Sequence, residues 1–256
     1  MTTHAIREGF HTVTPYLIVE GAGKLIDFVK QAFEGEELFR ASRPDGGIQH
    51  AEVRIGGSMI ELAEATARYK PMPAAIHLYV KDADAVYQRA IQAGATSLYQ
   101  PMDQEYGDRE GGVKDPCSNQ WFIGTHQGGR GYIPEGLRSV TPYLRPRGAA
   151  KLIDFLKQAF GAQEAERTES SDGIIHNAKI RIGDSIVELG EAHGEWQPAP
   201  AVIHLYVEDV DAVYRSALQA GAISLSEPAD QPYGDRSAGV TDAWANHWYL
   251  ATHLKE

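Results

Sequence analysis

Glu61 with His77, and Glu188 with His204, are acid–imidazole pairs whose residue types could do chemistry. Such a pair can supply half of a Zn, Ni, Mn or Fe site, with water or substrate completing it. It can equally form a carboxylate–imidazole hydrogen bond lining a polar pocket. A third use needs no metal: Glu61 or Glu188 acts as a general base beside a substrate carbonyl, once burial has raised its pKa. YGDR at Tyr106–Arg109 and again at Tyr233–Arg236 offers a substrate clamp. Arg109 and Arg236 can fork onto a carboxylate or phosphate, while Tyr106 and Tyr233 stack and lend a hydroxyl. The plainer reading of YGDR is a shaped loop that turns at its glycine. Trp121 and Trp248 can stack on a flat ligand or pack in a core.

Other motifs carry less. GAGK at Gly21–Lys24 lacks the spacing and the following Ser/Thr of a phosphate loop, and its counterpart reads GAAK. No HExxH, GxSxG or complete GxGxxG occurs. His50 aligns with Asn177 and His176 with Gln49, so neither histidine has a partner in the other repeat.

That alignment exists because the chain is duplicated. VTPYL, KLIDF, HLYV and YGDR each occur twice, and Val140 stands 127 residues after Val13, as in every other pair. The organisation expected is a domain over 10–127, a Gly-rich linker over 128–138 and a second domain over 139–256.

Within the first repeat, Val13–Val19 reads as a strand and Gly23–Phe33 as a helix with one apolar face. Glu36–Ser42, Ile48–Ile55 and Ser58–Ala63 read as three further strands. The order β-α-β-β-β then recurs. Ala74–Val80 is a strand, and Asp82 caps a helix running to about Ala93. Shorter strands follow near Ser97–Pro101, Gly111–Asp115 and Gln120–His126. The second repeat follows the same scheme, with helices near Ala149–Phe160 and Val210–Ala220. This order predicts an α+β fold: tandem domains, each of two paired βαβββ units forming a curved, mostly antiparallel sheet with helices on its outer face.

Alternation along the strands separates two faces. Leu17, Ile60, Leu62, Ile76 and Leu78 belong to the apolar set. Thr14, Tyr16, Glu61, His77 and Tyr79 point the other way, as do Thr141, Tyr143, Glu188, His204 and Tyr206. A face with an acid, a histidine and two tyrosines reads as the wall of a cavity.

Composition narrows the partners. Lys and Arg total 24 against 35 Asp and Glu, a net charge of −11, which disfavours nucleic acid. One cysteine, Cys117, excludes an internal disulfide or a Cys-based zinc site. No apolar run approaches the roughly 20 residues of a membrane span. The start MTTHAIREGFHT has no apolar h-region. The expectation is a cytoplasmic protein with a small-molecule ligand and neither a nucleic-acid nor a membrane partner.

The doubled βαβββ unit, with VTPYL, IEL, HLYV, YGDR and the turn at Asp115-Pro116, resembles the glyoxalase / bleomycin-resistance / extradiol-dioxygenase superfamily, also called the vicinal oxygen chelate superfamily. The resemblance spans Val13–His126 and Val140–His253. It implies a divalent ion held by four ligands from first and last strands. Glu61 and Glu188 match the last-strand glutamate. The first-strand histidine position falls at Thr14 and Thr141. The second unit's histidine falls at Ala75 or His77, and at Val202 or His204. The final acidic ligand falls at Phe122 and Tyr249. The set is incomplete, as in the superfamily's bleomycin-binding members, which lack the metal. The resemblance therefore implies a protein that binds an antibiotic or metabolite on its open sheet faces, more readily without a metal cofactor than with one. The alternative is a divalent-metal-dependent lyase, isomerase or dioxygenase. Duplication lets one chain mimic the dimers of such proteins, as a monomer or a further homodimer.

Overall fold

The computed structural model describes residues 5–129 and 131–254. Residues 1–4, Arg130 and 255–256 lie outside the described residues, and with them parts of the expected linker and second domain. The first repeat runs β1 (Val13–Val19), α1 (Ala22–Phe33), β2 (Glu36–Ser42), β3 (Ile48–Ile55) and β4 (Ser58–Glu64). It continues through β5 (Ala75–Tyr79), α2 (Ala83–Gln92), β6 (Thr96–Asp103), β7 (Asp108–Lys114) and β8 (Gln120–His126). The second repeat runs β9 (Val140–Leu144), α3 (Ala149–Phe160), β10 (Gln163–Glu169), β11 (Ile175–Ile182) and β12 (Ser185–Leu189). It ends with β13 (Val202–Tyr206), α4 (Val210–Gln219), β14 (Ile223–Asp230), β15 (Asp235–Thr241) and β16 (His247–His253). The α+β class and the fourfold βαβββ order are those read from the sequence.

The chain divides into two compact units. The first is Tyr16–Pro142; the second is residues 5–15 together with 143–254. Each division falls inside a first strand. In the second unit Tyr206 N donates to Thr12 O at 2.9 Å, so the segment entering β1 lies beside β13. In the first unit Tyr79 N donates to Ser139 O at 2.8 Å, the same arrangement beside β5.

In the first unit β2, β3 and β4 run antiparallel, and β1 joins β4 in parallel with Tyr16 opposite Glu61. Likewise β6, β7 and β8 run antiparallel, and β5 joins β8 in parallel with His77 opposite Phe122. These two four-stranded sets belong to different sheets. The second unit repeats both patterns.

The helices form where apolar spacing demands a buried stripe. Leu25, Ile26, Phe28, Val29 and Ala32 of α1 are buried, as are Leu152, Ile153, Phe155 and Leu156 of α3. Gly21 sits at φ 83°, a left-handed conformation that suits glycine, and turns the chain into α1. The Glu64 carboxylate accepts from Gly21 N at 2.7 Å and Ala22 N at 2.8 Å, satisfying donors that a helix start leaves open. Glu191 does the same for Gly148 and Ala149. The GAGK amides thus already serve a carboxylate. Asp82 and Asp209 cap α2 and α4 by accepting from Ala85 N and Ala212 N.

Several boundaries move by a residue or two, and the largest shift from the sequence reading is at β7. β7 starts at Asp108, before the expected Gly111, so half of YGDR is strand. Asp108 and Glu110 look like loop residues but are buried, and side-chain donors satisfy them. Among the described residues no helix is long and apolar enough to cross a membrane.

Candidate functional site

The polar residues of the first unit fall into two groups on separate strand sets. The first lies on β1, β3 and β4. Glu61 faces Tyr16 on one neighbour and Glu52 on the other. Both glutamates are buried. His50 Nε2 stands 3.2 Å from Glu52 Oε1 and 4.0 Å from Glu61 Oε1, while Tyr16 Oη lies 3.3 Å from His50 Nδ1. In the second unit Glu188 is opposite Tyr143 and Lys179. Lys179 Nζ is drawn to Glu166 Oε2 at 2.7 Å, and Tyr143 Oη donates to His176 O at 3.4 Å.

The second group lies on β5 to β8. His77 Nε2 is 2.8 Å from Glu110 Oε2, and Tyr99 Oη donates to Glu110 Oε1 at 2.5 Å. Burial works to raise the Glu110 pKa. Hydrogen bonds from His77, Tyr99 and Tyr106 outweigh it and hold the carboxyl below its ordinary value. The Tyr99 and Phe122 rings lie nearly parallel, 22° apart with centroids 6.5 Å apart. Two glycines make room. A Cβ on Gly112 would come within 2.5 Å of the Tyr99 ring, and one on Gly124 within 3.2 Å of His77 Nε2. His77 and Tyr79 pack ring on ring at 4.4 Å. Tyr79 Oη donates to Asp108 Oδ2, and His126 Nδ1 meets Asp108 Oδ1, both at 2.7 Å.

Three expectations need correction. Glu61 does not join His77, nor Glu188 His204, because β4 and β5 lie in different sheets, as do β12 and β13. Among the described residues no group of three or more His, Cys, Asp or Glu could hold a metal ion.

Trp121 and Trp248 do not line a pocket. Both are fully buried, and Trp121 packs at a tilt against Phe33 with centroids 4.7 Å apart, as Trp248 does against Phe160 at 4.8 Å. Their indole Nε1 atoms donate to Asp115 and Asp242 at 2.8 and 2.9 Å. Burial pushes both of those carboxyls up.

The Arg109 guanidinium forks onto Asp84, with Nη2 2.7 Å from Oδ1, and also reaches Asp103 at 3.2 Å. Arg236 holds Asp211 and Asp230 in the same way. Both arginines tie a turn to a helix. The YGDR tyrosines behave differently. Tyr106 and Tyr233 are exposed, and the Tyr106 hydroxyl reaches Glu110 while Tyr233 Oη lies 3.5 Å from Ser237 Oγ.

Of the expected residues, His77, Tyr79 and Tyr106 come together with Tyr99, Phe122 and Glu110. In the second unit, His204 packs on Tyr206 at 4.7 Å, and Tyr206 Oη donates to Asp235 at 3.0 Å. The sequence reading missed Glu110 and Tyr99. Alternation back from Gly112 through Glu110 to Asp108 could have placed the acid on the polar face. So could the mismatch of Glu110 with Ser237 inside an otherwise faithful repeat.

Comparison with known proteins bears on the frame. The sequence pattern of the Glyoxalase/Bleomycin resistance protein/Dioxygenase superfamily matches residues 9–123 and 139–250. An uncharacterized protein of Mycobacterium bovis is 40% identical over 123 residues, 44% of this chain and 81% of its own. One from Mycobacterium tuberculosis H37Rv is 40% identical over 123 residues, 44% of this chain and 72% of its own. Among solved structures, glyoxalase I of maize is similar with a TM-score of 0.68, covering 94% of this chain and 92% of its own at 14% identity. A candidate dioxygenase of Bacillus subtilis reaches 0.62, covering 94% and 84% at 14% identity. At that identity the likeness is one of fold.

Proposed function

Because the chain belongs to the Glyoxalase/Bleomycin resistance protein/Dioxygenase superfamily, we propose that it binds a small organic molecule, an antibiotic or a metabolite, on its polar sheet faces. The observation that carries this reading is the cluster of buried His77 and Glu110 with half-buried Tyr99. Burying an ionised carboxylate is costly unless it is paired and hydrogen-bonded. The frame does not need it: the second repeat builds the same strands with Ser237 and Ser226 at those places. A costly group that the fold can spare marks a functional face.

The test is thermal unfolding with bleomycin and with panels of aromatic acids, keto acids and thioesters, on wild type and His77→Ala. A compound that binds only the native state raises the melting temperature by mass action. A rise that His77→Ala removes supports the reading. No rise with any compound, together with turnover of a substrate by metal-loaded protein, sinks it.

A second reading, a metal-dependent lyase, isomerase or dioxygenase, draws on His50 lying near both Glu52 and Glu61. Among the described residues no three or more His, Cys, Asp or Glu are grouped to hold a metal ion, so no step is derived through one.

A further inference from the structure

Several histidines of this chain already meet a carboxylate. His11 lies against Asp184, His50 against Glu52, His77 against Glu110, His126 against Asp108 and His253 against Asp235. His176 and His193 differ. Both are exposed, and among the described residues no hydrogen bond or ion pair occupies their ring nitrogens. Yet the two rings are neighbours. They stand edge to face, with centroids 6.5 Å apart and planes at 89°.

The fold brings them together. His176 lies near the start of β11, and His193 opens the turn that follows β12. Glu191 N donates to Ile175 O at 2.8 Å, which ties the chain leaving β12 to the start of β11. The turn itself is closed from both ends. His193 N donates to Trp196 O at 3.0 Å, and Trp196 N donates to His193 O at 2.8 Å. Gln197 Nε2 adds a bond to Gly194 O at 2.6 Å. The backbone under His193 is therefore held while its ring faces solvent. The first repeat closes the same turn without either imidazole. Its counterparts are Gln49 and Thr66, and Thr66 N donates to Tyr69 O at 2.7 Å. The frame does not call for these histidines.

An uncommitted imidazole nitrogen is a ligand for zinc, nickel or copper. An ion about 2.0–2.1 Å from one nitrogen of each ring needs the rings roughly an ångström closer than they stand. Rotation about the side-chain bonds of two exposed residues covers that distance. Two imidazoles leave the remaining positions of a tetrahedral ion to water or to an incoming ligand. Asp172 adds a negative charge at this corner. Its carboxyl is held below the ordinary value chiefly by the hydrogen bond from Ser170, with a smaller share from His176.

We infer that His176 and His193 form a two-imidazole site for a divalent transition-metal ion of the zinc type on the second unit. The site is separate from the Glu61 and Glu188 positions and does not depend on the small-molecule reading above. With two protein ligands it holds its ion loosely, and the ion exchanges.

The experiment titrates zinc ion into the whole chain and follows the imidazole nitrogens by NMR. The expected result is a saturable change at His176 and at His193 with one shared midpoint. His176→Gln should weaken the zinc response of His193 at least tenfold, and His193→Thr should do the same to His176. Both variants install the residue that the first repeat carries at that place, and both positions are exposed, so the fold should be kept. Glu61→Ala/Glu188→Ala should leave the response unchanged. Separate midpoints, or a His193 response that survives His176→Gln undiminished, would mean two independent surface histidines and overturn the site. No response at either ring would overturn it as well.

Discussion

His77 Nε2 lies 2.8 Å from Glu110 Oε2 in the first repeat, and the position of Glu110 is a serine, Ser237, in the second. One frame therefore carries Glu110 beside His77 in the first copy and a serine at the matching place in the second. The pair makes its own prediction. Hydrogen bonds that outweigh burial hold the Glu110 pKa below 4.5 in the folded protein. A carboxylate with a depressed folded pKa adds stability above its unfolded value, and loses it as pH falls through the folded value. Wild type should exceed Glu110→Gln by about 1–3 kcal/mol at neutral pH. The gap should shrink as pH drops below 4.5. Urea unfolding of both proteins at several pH values checks this, and a gap independent of pH would contradict it.

Trp121 predicts a loss of stability. Trp121→Phe removes the 2.8 Å bond from Nε1 to Asp115 and leaves a buried carboxylate short of a donor. The cost should be about 1–3 kcal/mol. Trp248→Phe should behave alike, since its bond to Asp242 is 2.9 Å. Urea denaturation measures both. If these tryptophans walled a ligand pocket, the substitutions would alter ligand response and leave stability nearly unchanged.

Gly124→Ala tests the close approach beneath His77. The added Cβ would stand 3.2 Å from Nε2 and 3.3 Å from the Tyr79 ring. The fold should survive, because Ala251 occupies the matching place in the second repeat. His77 should move by a few tenths of an ångström, and its NMR signals should move with it. Unchanged His77 signals would show that the ring does not rest on this glycine.

The separation of Glu61 from His77 onto different sheets predicts the metal behaviour. After incubation with Zn, Ni, Mn or Fe(II) and gel filtration, elemental analysis should find no stoichiometric ion that depends on Glu61 and Glu188. One ion per chain, lost in Glu61→Ala/Glu188→Ala, would turn the search towards lyase, isomerase and dioxygenase substrates.

Much of the frame was legible because its signals are local. The spacing of Leu25, Ile26, Phe28 and Val29 places one helix face in the core. Asp82 caps the helix it precedes because its side chain reaches an amide three residues on. The site was less legible. Tyr99 and Glu110 meet through the pairing of β6 with β7, and His77 meets them only through β8. The local signal at Glu110 was only the alternation that runs back from Gly112.

By itself the sequence determined the duplication, the four βαβββ units and the alternation of faces, since repeats and periods of 2 and 3.6 are properties of neighbouring residues. Only the tertiary structure decided which faces share a sheet. It set Glu61 apart from His77, placed Glu110 beside His77, and turned the two indoles into the core. Strand pairing joins residues far apart in the chain, and a register of hydrogen bonds fixes which of them meet.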